Sequence, residues 1–271
     1  MARWAAENCL QNSPYSREDI ELLIHAGVYR DEFLAEPAQA ALLAGELRMN
    51  EDIVSIADKK TFVFDVCNGA VGFLDACYVA SQLIQSQRYR NAMIVTAEIE
   101  NNSGAYSRRG VQETGSAVIL HSSDDPRTGF GHFVFECRPE YLDAISTYTA
   151  RDDSRTILRI EEDERIHDLF LRCIPAAIER LLESEGLNAS QITIVLGPQI
   201  SVDFTSRLSK RLQISRDRFV DIARDEKDFF SNSLAYSLQS AHDTDKMKRG
   251  DIGLIISVGS GIQIGCAIYY F

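Results

Sequence analysis

The sequence predicts an α/β fold in which one pattern of helices and strands occurs twice. Short runs rich in Ile, Leu and Val alternate with longer helical segments, which is typical of strands covered by helices on both faces. The pattern occupies residues 1–125, is interrupted over 126–165, and returns over 166–271. A chain of 271 residues is long enough for two halves that share a core. We therefore expect two α/β halves joined by a crossover segment at 126–165.

The first half begins with apolar residues at helical spacing, up to Gln11. Periodicity and residue type then predict a strand over 20–26, a helix over 36–49, a strand over 60–66, a helix over 69–87, and strands over 91–97 and 115–121. Gly27 ends the first of these strands, and Pro37 suits the first turn of the helix that follows it. Alternating helices and short strands indicate a helix-covered sheet in this half.

The second half repeats this alternation after a polar, mixed stretch in which we predict no regular element. The expected elements are a helix over 166–184, a strand over 191–196, helices over 203–212 and 231–243, a strand over 251–257, a turn at Gly259–Gly261 and a closing strand over 262–270. No low-complexity linker separates the halves. We expect the repetition to reflect an internal duplication.

Charge and cysteine usage exclude several classes of function. The chain carries 28 Lys and Arg against 40 Asp and Glu, a net charge of -12 that disfavours binding to nucleic acid. No run of apolar residues is long enough for a membrane span. The six cysteines are scattered without a CxxC pair, which predicts a reducing, cytoplasmic setting and no metal site. We expect no cofactor.

Three stretches of this sequence carry a family resemblance. Phe64–Phe73 reads FDV, three residues, Ala70, one residue and Gly-Phe, and Gly27–Asp31 is followed by Glu36-Pro37-Ala38. Gly259–Ile262 is a glycine-rich turn before the last strand. In this order the three resemble ketoacyl synthase III (3-oxoacyl-ACP synthase III) and the olefin-type thiolases. The resemblance implies a thiolase-like fold, in which two duplicated α/β halves form five αβαβα layers.

The same resemblance implies where the family's catalytic Cys, His and Asn would lie. A cysteine at a helix N-terminus takes the acyl group as a thioester, and the other two residues hold the carbonyl of the second substrate. Here the three positions are occupied by Ala70, Pro198 and Asp228. We therefore expect the family's fold without its covalent chemistry. Cys67 is the alternative nucleophile, although a free cysteine is more often a small buried residue.

The resemblance also implies partners. Members of the family are dimers with sheets joined edge to edge. In the olefin-type enzymes the glutamate similar to Glu36 reaches into the partner's active site. A simpler interpretation of Glu36 is that it only stabilises the N-terminus of a helix. The helix with Arg207, Lys210 and Arg211 is similar to the family's docking region for acyl carrier protein, although a solvated helix face explains the same charges. The position of the family's arginine that contacts the CoA phosphate is occupied here by Asp203. This reversal of charge disfavours CoA binding at that position.

These observations favour a non-catalytic subunit that dimerises with an active condensing enzyme in fatty-acid, polyketide or related acyl metabolism. A heterodimer is favoured over a homodimer. One alternative is an active acyltransferase that uses Cys67 or no covalent step, and another is a binding protein for acyl chains, acyl-CoA or acyl carrier protein. The family begins with about fifty further residues that hold a first strand and helices, and a sheet that lacks a strand has an unpaired edge.

Overall fold

The computed structural model describes residues 1–51, 60–101, 111–125, 127–152, 155–223 and 228–271. The α-helices are α1 (Ala2–Gln11), α2 (Gln39–Glu46), α3 (Gly72–Gln85), α4 (Ile166–Glu185), α5 (Val202–Leu212) and α6 (Ser233–Asp243). The strands are β1 (Leu22–His25), β2 (Phe62–Asp65), β3 (Asn91–Glu98), β4 (Thr114–His121), β5 (Gly129–Cys137), β6 (Ile145–Asp152), β7 (Arg155–Glu162), β8 (Ile194–Leu196), β9 (Ile252–Gly259) and β10 (Gln263–Tyr270).

The described strands form two four-stranded sheets and one separate hairpin. The first sheet has the order β2-β1-β3-β4 and the second the order β5-β10-β9-β8, while β6 pairs only with β7. In the first sheet β1 is parallel to β2 and β3, and β4 is antiparallel to β3. In the second sheet β8 is parallel to β9, and β10 is antiparallel to both β9 and β5. Each half therefore supplies parallel strands and one closing antiparallel hairpin.

Three hydrophobic cores stack the sheets and helices into five layers. On the first sheet Leu23 and Met93 pack with α1 and α2, whereas Ile24 points to the opposite face and joins a core with α3 and α6. That central core also contains Ala267 of β10, so α3 and α6 lie between the two sheets. On the far face of the second sheet, β9 and β10 pack against α4 and α5 through residues such as Ile256. The predicted five-layered αβαβα fold is confirmed.

Strand β1 shows how the alternation of side chains builds these layers. Leu22, Leu23 and Ile24 have no exposed surface, yet successive side chains point to opposite faces. Each side chain buried in this way contributes about 2 kcal/mol relative to full exposure. A strand buried on both faces therefore needs an uninterrupted apolar run, which is the pattern that predicted it.

The segment 126–165 is more regular than the sequence predicted. It contains β5, β6 and β7, where we expected no strand, and β5 belongs to the second sheet through its ladder with β10. Strand β5 alternates aromatic residues such as Phe133 and Phe135 with smaller ones, and this period-2 pattern is obscured by Gly129 and Gly131. The β6–β7 hairpin is rich in Thr and Arg because much of its surface is exposed, so its composition resembles that of a loop.

The start of α2 differs from the prediction for a different reason. The helix begins at Gln39, and Pro37 therefore lies before its first turn. Asp65, at the end of β2, accepts hydrogen bonds from the backbone N–H groups of Gln39 (2.9 Å) and Ala40 (2.8 Å). The capping carboxylate thus comes from a neighbouring strand, and no local sequence signal marks the helix start.

Candidate functional site

The loop between β2 and α3 forms a tight elbow around Ala70. Gly69 adopts a left-handed backbone with φ of 55°, a conformation that favours glycine, and α3 begins two residues after Ala70. The Ser257 hydroxyl of β9 donates to the Ala70 carbonyl oxygen at 2.8 Å. Asn68 donates a hydrogen bond to Asp75 at 2.6 Å and another to Gln263, which lies in the strand after the glycine-rich turn. The elbow is therefore held in place by both halves of the chain.

A cavity of about 90 Å³ lies against this elbow and is lined by both halves. Ala70 and Asp228, predicted from separate parts of the sequence, both line it, as do Gly259 and Ser260 of the glycine-rich turn. Another part of the lining comes from the β6–β7 hairpin and the start of α4, with the residues Ile145, Thr147, Ile160, Glu162, His167 and Phe170. This volume suits a small group rather than a long chain, because ligand pockets are usually about 300 Å³ or larger.

Four ionisable side chains line the cavity, those of Tyr29, Glu162, His167 and Asp228. Asp228 accepts a hydrogen bond from the Phe230 backbone N–H at 2.8 Å through Oδ1, and its carbonyl oxygen accepts one from Gln112 N at 2.9 Å. His167 opens α4, and Glu162 ends β7. The hairpin brings His167 and Glu162 to the cavity, and no motif in the sequence marks either residue.

Tyr29 and Val28 form another wall of the cavity, and a buried carboxylate holds them. Glu98, at the end of β3, has no exposed surface and accepts hydrogen bonds from the backbone N–H groups of Tyr29 (2.7 Å) and Val28 (3.2 Å). The Ser231 hydroxyl also donates to Glu98 and in turn contacts Thr96. Burial raises the pKa of Glu98 to about 7, because its hydrogen bonds only partly offset the loss of water.

Sequence reasoning missed this network around Glu98. The available signal was an acidic residue that ends an otherwise apolar, buried strand, a place where a charge requires partners. Burial also raises the pKa of Tyr29 to about 12, with the Glu98 and Asp228 carboxylates adding to the rise. The Tyr29 ring meets Phe230 edge-on, with centroids 4.7 Å apart. The loop that covers the cavity is therefore anchored at its backbone and at its side chain.

Pro198 follows β8 and is buried, but Ile200 is the residue of this loop that lines the cavity. Between them, the buried Gln199 donates to the carbonyl oxygens of Gly197 (3.0 Å) and Val220 (2.9 Å). Its Oε1 accepts from the backbone N–H of Ile222 at 2.9 Å. Gln199 thus fixes the path of two loops, and this segment presents no imidazole to the cavity.

Cys67 and Glu36 lie outside the cavity lining. Cys67 is exposed, and Arg30 Nη2 donates to its Sγ at 3.1 Å while also pairing with Asp65 at 2.7 Å. Glu36 is exposed and precedes Pro37 through a cis peptide bond. Because α2 starts at Gln39, Glu36 does not belong to the first turn of that helix. The structure therefore brings Ala70 and Asp228 together and leaves Pro198, Cys67 and Glu36 apart from them.

The predicted basic helix is α5, and its cations differ in their surroundings. Arg207 forms an ion pair with Asp168 of α4 and lies 3.9 Å from Asp203. Lys210 and Arg211 are exposed in the last turn of the helix, where cations interact favourably with the helix dipole. Exposed positive charge in this helix is therefore concentrated at its C-terminal end.

The arrangement at the cavity limits its chemistry. A helix N-terminus favours a thiolate at the elbow, but the methyl side chain of Ala70 carries no nucleophile. Across the described ranges, His, Cys, Asp and Glu form no group of three that could bind a metal ion. In the same part of the chain, no helix is long and apolar enough to cross a lipid bilayer. The side chains that line the cavity include two carboxylates, an imidazole and a phenol.

Two family models match the chain. That of 3-oxoacyl-[acyl-carrier-protein] synthase III matches residues 64–139, and that of the C-terminal part of the same enzyme matches residues 182–271. Among curated proteins, beta-ketoacyl-[acyl-carrier-protein] synthase III of Aquifex aeolicus is 22% identical over 273 residues, which cover 99% of this chain and 82% of the relative. The enzyme of the same name from Helicobacter pylori is 22% identical over 282 residues, covering 98% and 81%.

Solved structures share the fold over the whole chain. The crystal structure of 3-oxoacyl-[acyl-carrier-protein] synthase III from Aquifex aeolicus has a TM-score of 0.83 at 20% identity, covering 100% of this chain and 83% of that one. A variant of Xanthomonas campestris OleA with bound lauric acid and lauroyl-CoA has a TM-score of 0.83 at 17% identity, covering 100% and 81%. At these identities the similarity of structures establishes the fold.

Proposed function

Because the chain belongs to the thiolase-fold, ketoacyl synthase III-like family, we propose that it is a non-catalytic subunit that supports an active condensing partner in acyl metabolism. The single observation that carries the proposal is Ala70, a methyl group at the helix N-terminus that borders the cavity. Pro198 and Asp228 add to it, since neither supplies the imidazole or the amide that the family's reaction uses. The fold is retained, whereas the side chain at the family's nucleophile position cannot form a thioester.

The partner in this proposal is a thiolase-fold protein with its catalytic residues in place. Strand β2 is an edge of the first sheet, and Phe62 in this strand is 50% exposed. Glu36 lies just before α2, whose first N–H groups bind Asp65 of the same edge strand. A subunit joined at β2 would therefore lie close to Glu36, which could act there as a base.

Co-expression with a cysteine-bearing homologue from the same source tests this proposal. We expect a stable heterodimer by size-exclusion chromatography with light scattering, and condensing activity that requires both chains. Glu36→Gln should lower that activity without loss of the heterodimer, whereas the matched change Glu46→Gln on α2 should leave it unchanged. A stable homodimer that does not bind the homologue would contradict the proposal.

A second candidate is an active acyltransferase that uses Cys67. It is favoured by one contact, the 3.1 Å hydrogen bond from Arg30 to the exposed Cys67 Sγ, because a neighbouring guanidinium is a feature of reactive cysteines. Incubation with acyl-CoA followed by intact mass spectrometry separates the two candidates. An added acyl mass that disappears in Cys67→Ala would establish this second function.

A third candidate is a binding protein for acyl carrier protein, favoured by the exposed Lys210 and Arg211 at the end of α5. Acidic carrier proteins are steered by such cations, and the attraction weakens with salt. Lys210→Glu should then weaken binding to a carrier protein in a salt-dependent way, and Lys248→Glu, at another exposed lysine, should not. Equal binding by both variants would exclude this surface.

A further inference from the structure

The segment between β1 and α2 carries Glu36 and has an unusual backbone. Glu32 and Phe33 are consecutive residues with φ of 51° and 58°, in the left-handed region that favours glycine. A side chain with a Cβ is strained in this region, and such strain persists only where surrounding contacts enforce it. The conformation of this segment is therefore set by its tertiary contacts and not by local preference.

The side chain of Arg30 supplies three of those contacts. Its Nη1 donates to the Ala35 carbonyl oxygen at 3.1 Å, immediately before Glu36 in the chain. Its Nη2 donates to Asp65 at 2.7 Å and to the Cys67 Sγ at 3.1 Å. The guanidinium therefore ties the segment to the end of β2 through two different nitrogen atoms.

The ion pair between Arg30 and Asp65 is largely shielded from water, because the two side chains are only 13% and 11% exposed. An exposed pair is weakened by solvent and by salt, whereas a shielded pair with charge-assisted hydrogen bonds keeps its geometry. Asp65 also accepts hydrogen bonds from the backbone N–H groups of Gln39 and Ala40. One carboxylate thus joins Arg30 to the start of α2, on the far side of Glu36.

Asn101 holds the other end of the segment. Its Nδ2 donates to the Arg30 carbonyl oxygen at 2.6 Å, and its Oδ1 accepts from the Glu32 backbone N–H at 3.1 Å. The Arg30 carbonyl oxygen also accepts from the Phe33 backbone N–H at 3.1 Å, which closes a turn. The backbone is therefore fixed on both sides of Glu36, while Glu36 itself is exposed.

We propose that Arg30 is a positioning residue, which fixes the direction in which Glu36 projects from the β2 edge and thereby places its carboxylate in the active site of a partner subunit. This inference rests on the function proposed above, in which Glu36 acts as a base in an active partner. A carboxylate on an unrestrained loop samples many orientations, and a base that is aligned only part of the time lowers the rate of the reaction.

The shape of the guanidinium group explains why an arginine suits this position. Its two terminal nitrogens reach Asp65 and Ala35 separately, whereas a lysine carries a single nitrogen. Arg30→Lys is therefore expected to keep the ion pair with Asp65 and to lose the hydrogen bond to Ala35. This substitution separates the positioning of Glu36 from the stability of the β2 edge.

Kinetics of the heterodimer with the cysteine-bearing homologue test the inference. Arg30→Lys should lower kcat about tenfold while KM and the heterodimer stay unchanged. In combination with Glu36→Gln it should cause no loss beyond that of Glu36→Gln alone, because both changes remove the same aligned carboxylate. The matched control is Arg17→Lys, which should leave kcat unchanged. Arg17 also pairs with a carboxylate, that of Glu18, and donates to a backbone carbonyl, that of Leu47.

Millisecond hydrogen exchange of the chain alone reports on the segment directly. In Arg30→Lys the backbone amide of Phe33 should exchange about tenfold faster, because the charged hydrogen bond to Ala35 no longer restrains the turn. The first amides of α2 should keep their protection, since Asp65 still binds them. Arg17→Lys should change neither rate. Equal exchange in Arg30→Lys and in the unchanged chain would overturn the inference.

The kinetic results separate the inference from the function on which it rests. If Glu36→Gln lowers kcat and Arg30→Lys does not, the inference alone fails. It also fails alone if the two losses multiply in the double variant, because Arg30 then acts independently of Glu36. If no heterodimer forms, or if Glu36→Gln leaves its activity unchanged, the function proposed above fails and the inference fails with it.

Discussion

Replacing Glu98 with glutamine should change how the stability of this protein depends on pH. Glu98 is fully buried, and burial raises its pKa to about 7 from an ordinary value of 4.5. His25, on the other face of the first sheet, is 2% exposed, and burial lowers its pKa to about 4 from 6.5. The nearby Asp65 opposes that decrease and Arg30 adds to it. The two buried groups therefore have pKa shifts of opposite sign.

The signs follow from proton binding. Between pH 4.5 and 7 the folded state holds the Glu98 proton more tightly than the unfolded state does, so the free energy of unfolding falls as pH rises, by about 1.4 kcal/mol per pH unit. Between pH 4 and 6.5 the unfolded state binds the His25 proton more tightly, so the free energy of unfolding rises with pH at the same rate. Over the shared range, from 4.5 to 6.5, the two contributions cancel.

Glu98→Gln removes the first contribution and leaves the second. Between pH 4.5 and 6.5 the free energy of unfolding of this variant, measured by urea denaturation, should rise relative to that of the unchanged protein by about 3 kcal/mol. Glu113→Gln, an exposed change of the same chemistry, should behave like the unchanged protein. Parallel pH profiles for the Glu98 variant and the unchanged protein would show that the pKa of Glu98 is not raised by burial.

Three further substitutions test the packing around the site. Gly27→Ala should lower the free energy of unfolding by about 2 kcal/mol in urea denaturation, because its Cβ would lie 2.3 Å from the Ala97 carbonyl oxygen. An unchanged midpoint would show that the backbone at residue 27 is not packed tightly against Ala97. Gln199→Ala should lower the free energy of unfolding by about 3 kcal/mol, since the backbone N–H of Ile222 and two carbonyl oxygens lose a buried partner. Gln199→Glu should not restore stability, because a carboxylate cannot donate to the two carbonyl oxygens. Phe73→Ala, at a 1% exposed residue of α3, should cost about 4 kcal/mol in thermal unfolding, and a cost under about 1 kcal/mol would argue against the central core.

The sequence predicts best where one local property decides the structure. Strand β1 is confirmed within two residues at each end, because burial on both faces requires a continuous apolar run. Helices α2 and α3 both begin three residues later than predicted, and for α2 the reason is that its cap is Asp65 of another strand. Strands β5 to β7 were missed because glycine and exposed polar residues hide their alternation.

In the candidate site, too, the sequence predicts the residues that local pattern marks and misses those that only tertiary contacts bring together. Ala70 could be located from its own surroundings in the sequence, because an FDV strand and a Gly-Phe helix start enclose it. His167 and Glu162 reach the cavity only through the β6–β7 hairpin, which the sequence did not predict. Glu98 acts at a distance, through the backbone of Tyr29, so its role depends on tertiary contacts that no local pattern encodes.

Mass spectrometry can show whether the elbow around Ala70 is intact apart from its missing nucleophile. Acetyl-CoA is a suitable probe, because its acyl group is small enough for a cavity of about 90 Å³. In Ala70→Cys the new thiolate can attack the thioester carbonyl, forming an enzyme thioester as the CoA thiol leaves. We predict one added acetyl group on Ala70→Cys and none on Ala70→Ser or on the unchanged chain. An acetyl group on the unchanged chain, or none on Ala70→Cys, would contradict the proposed loss of a nucleophile from an intact elbow.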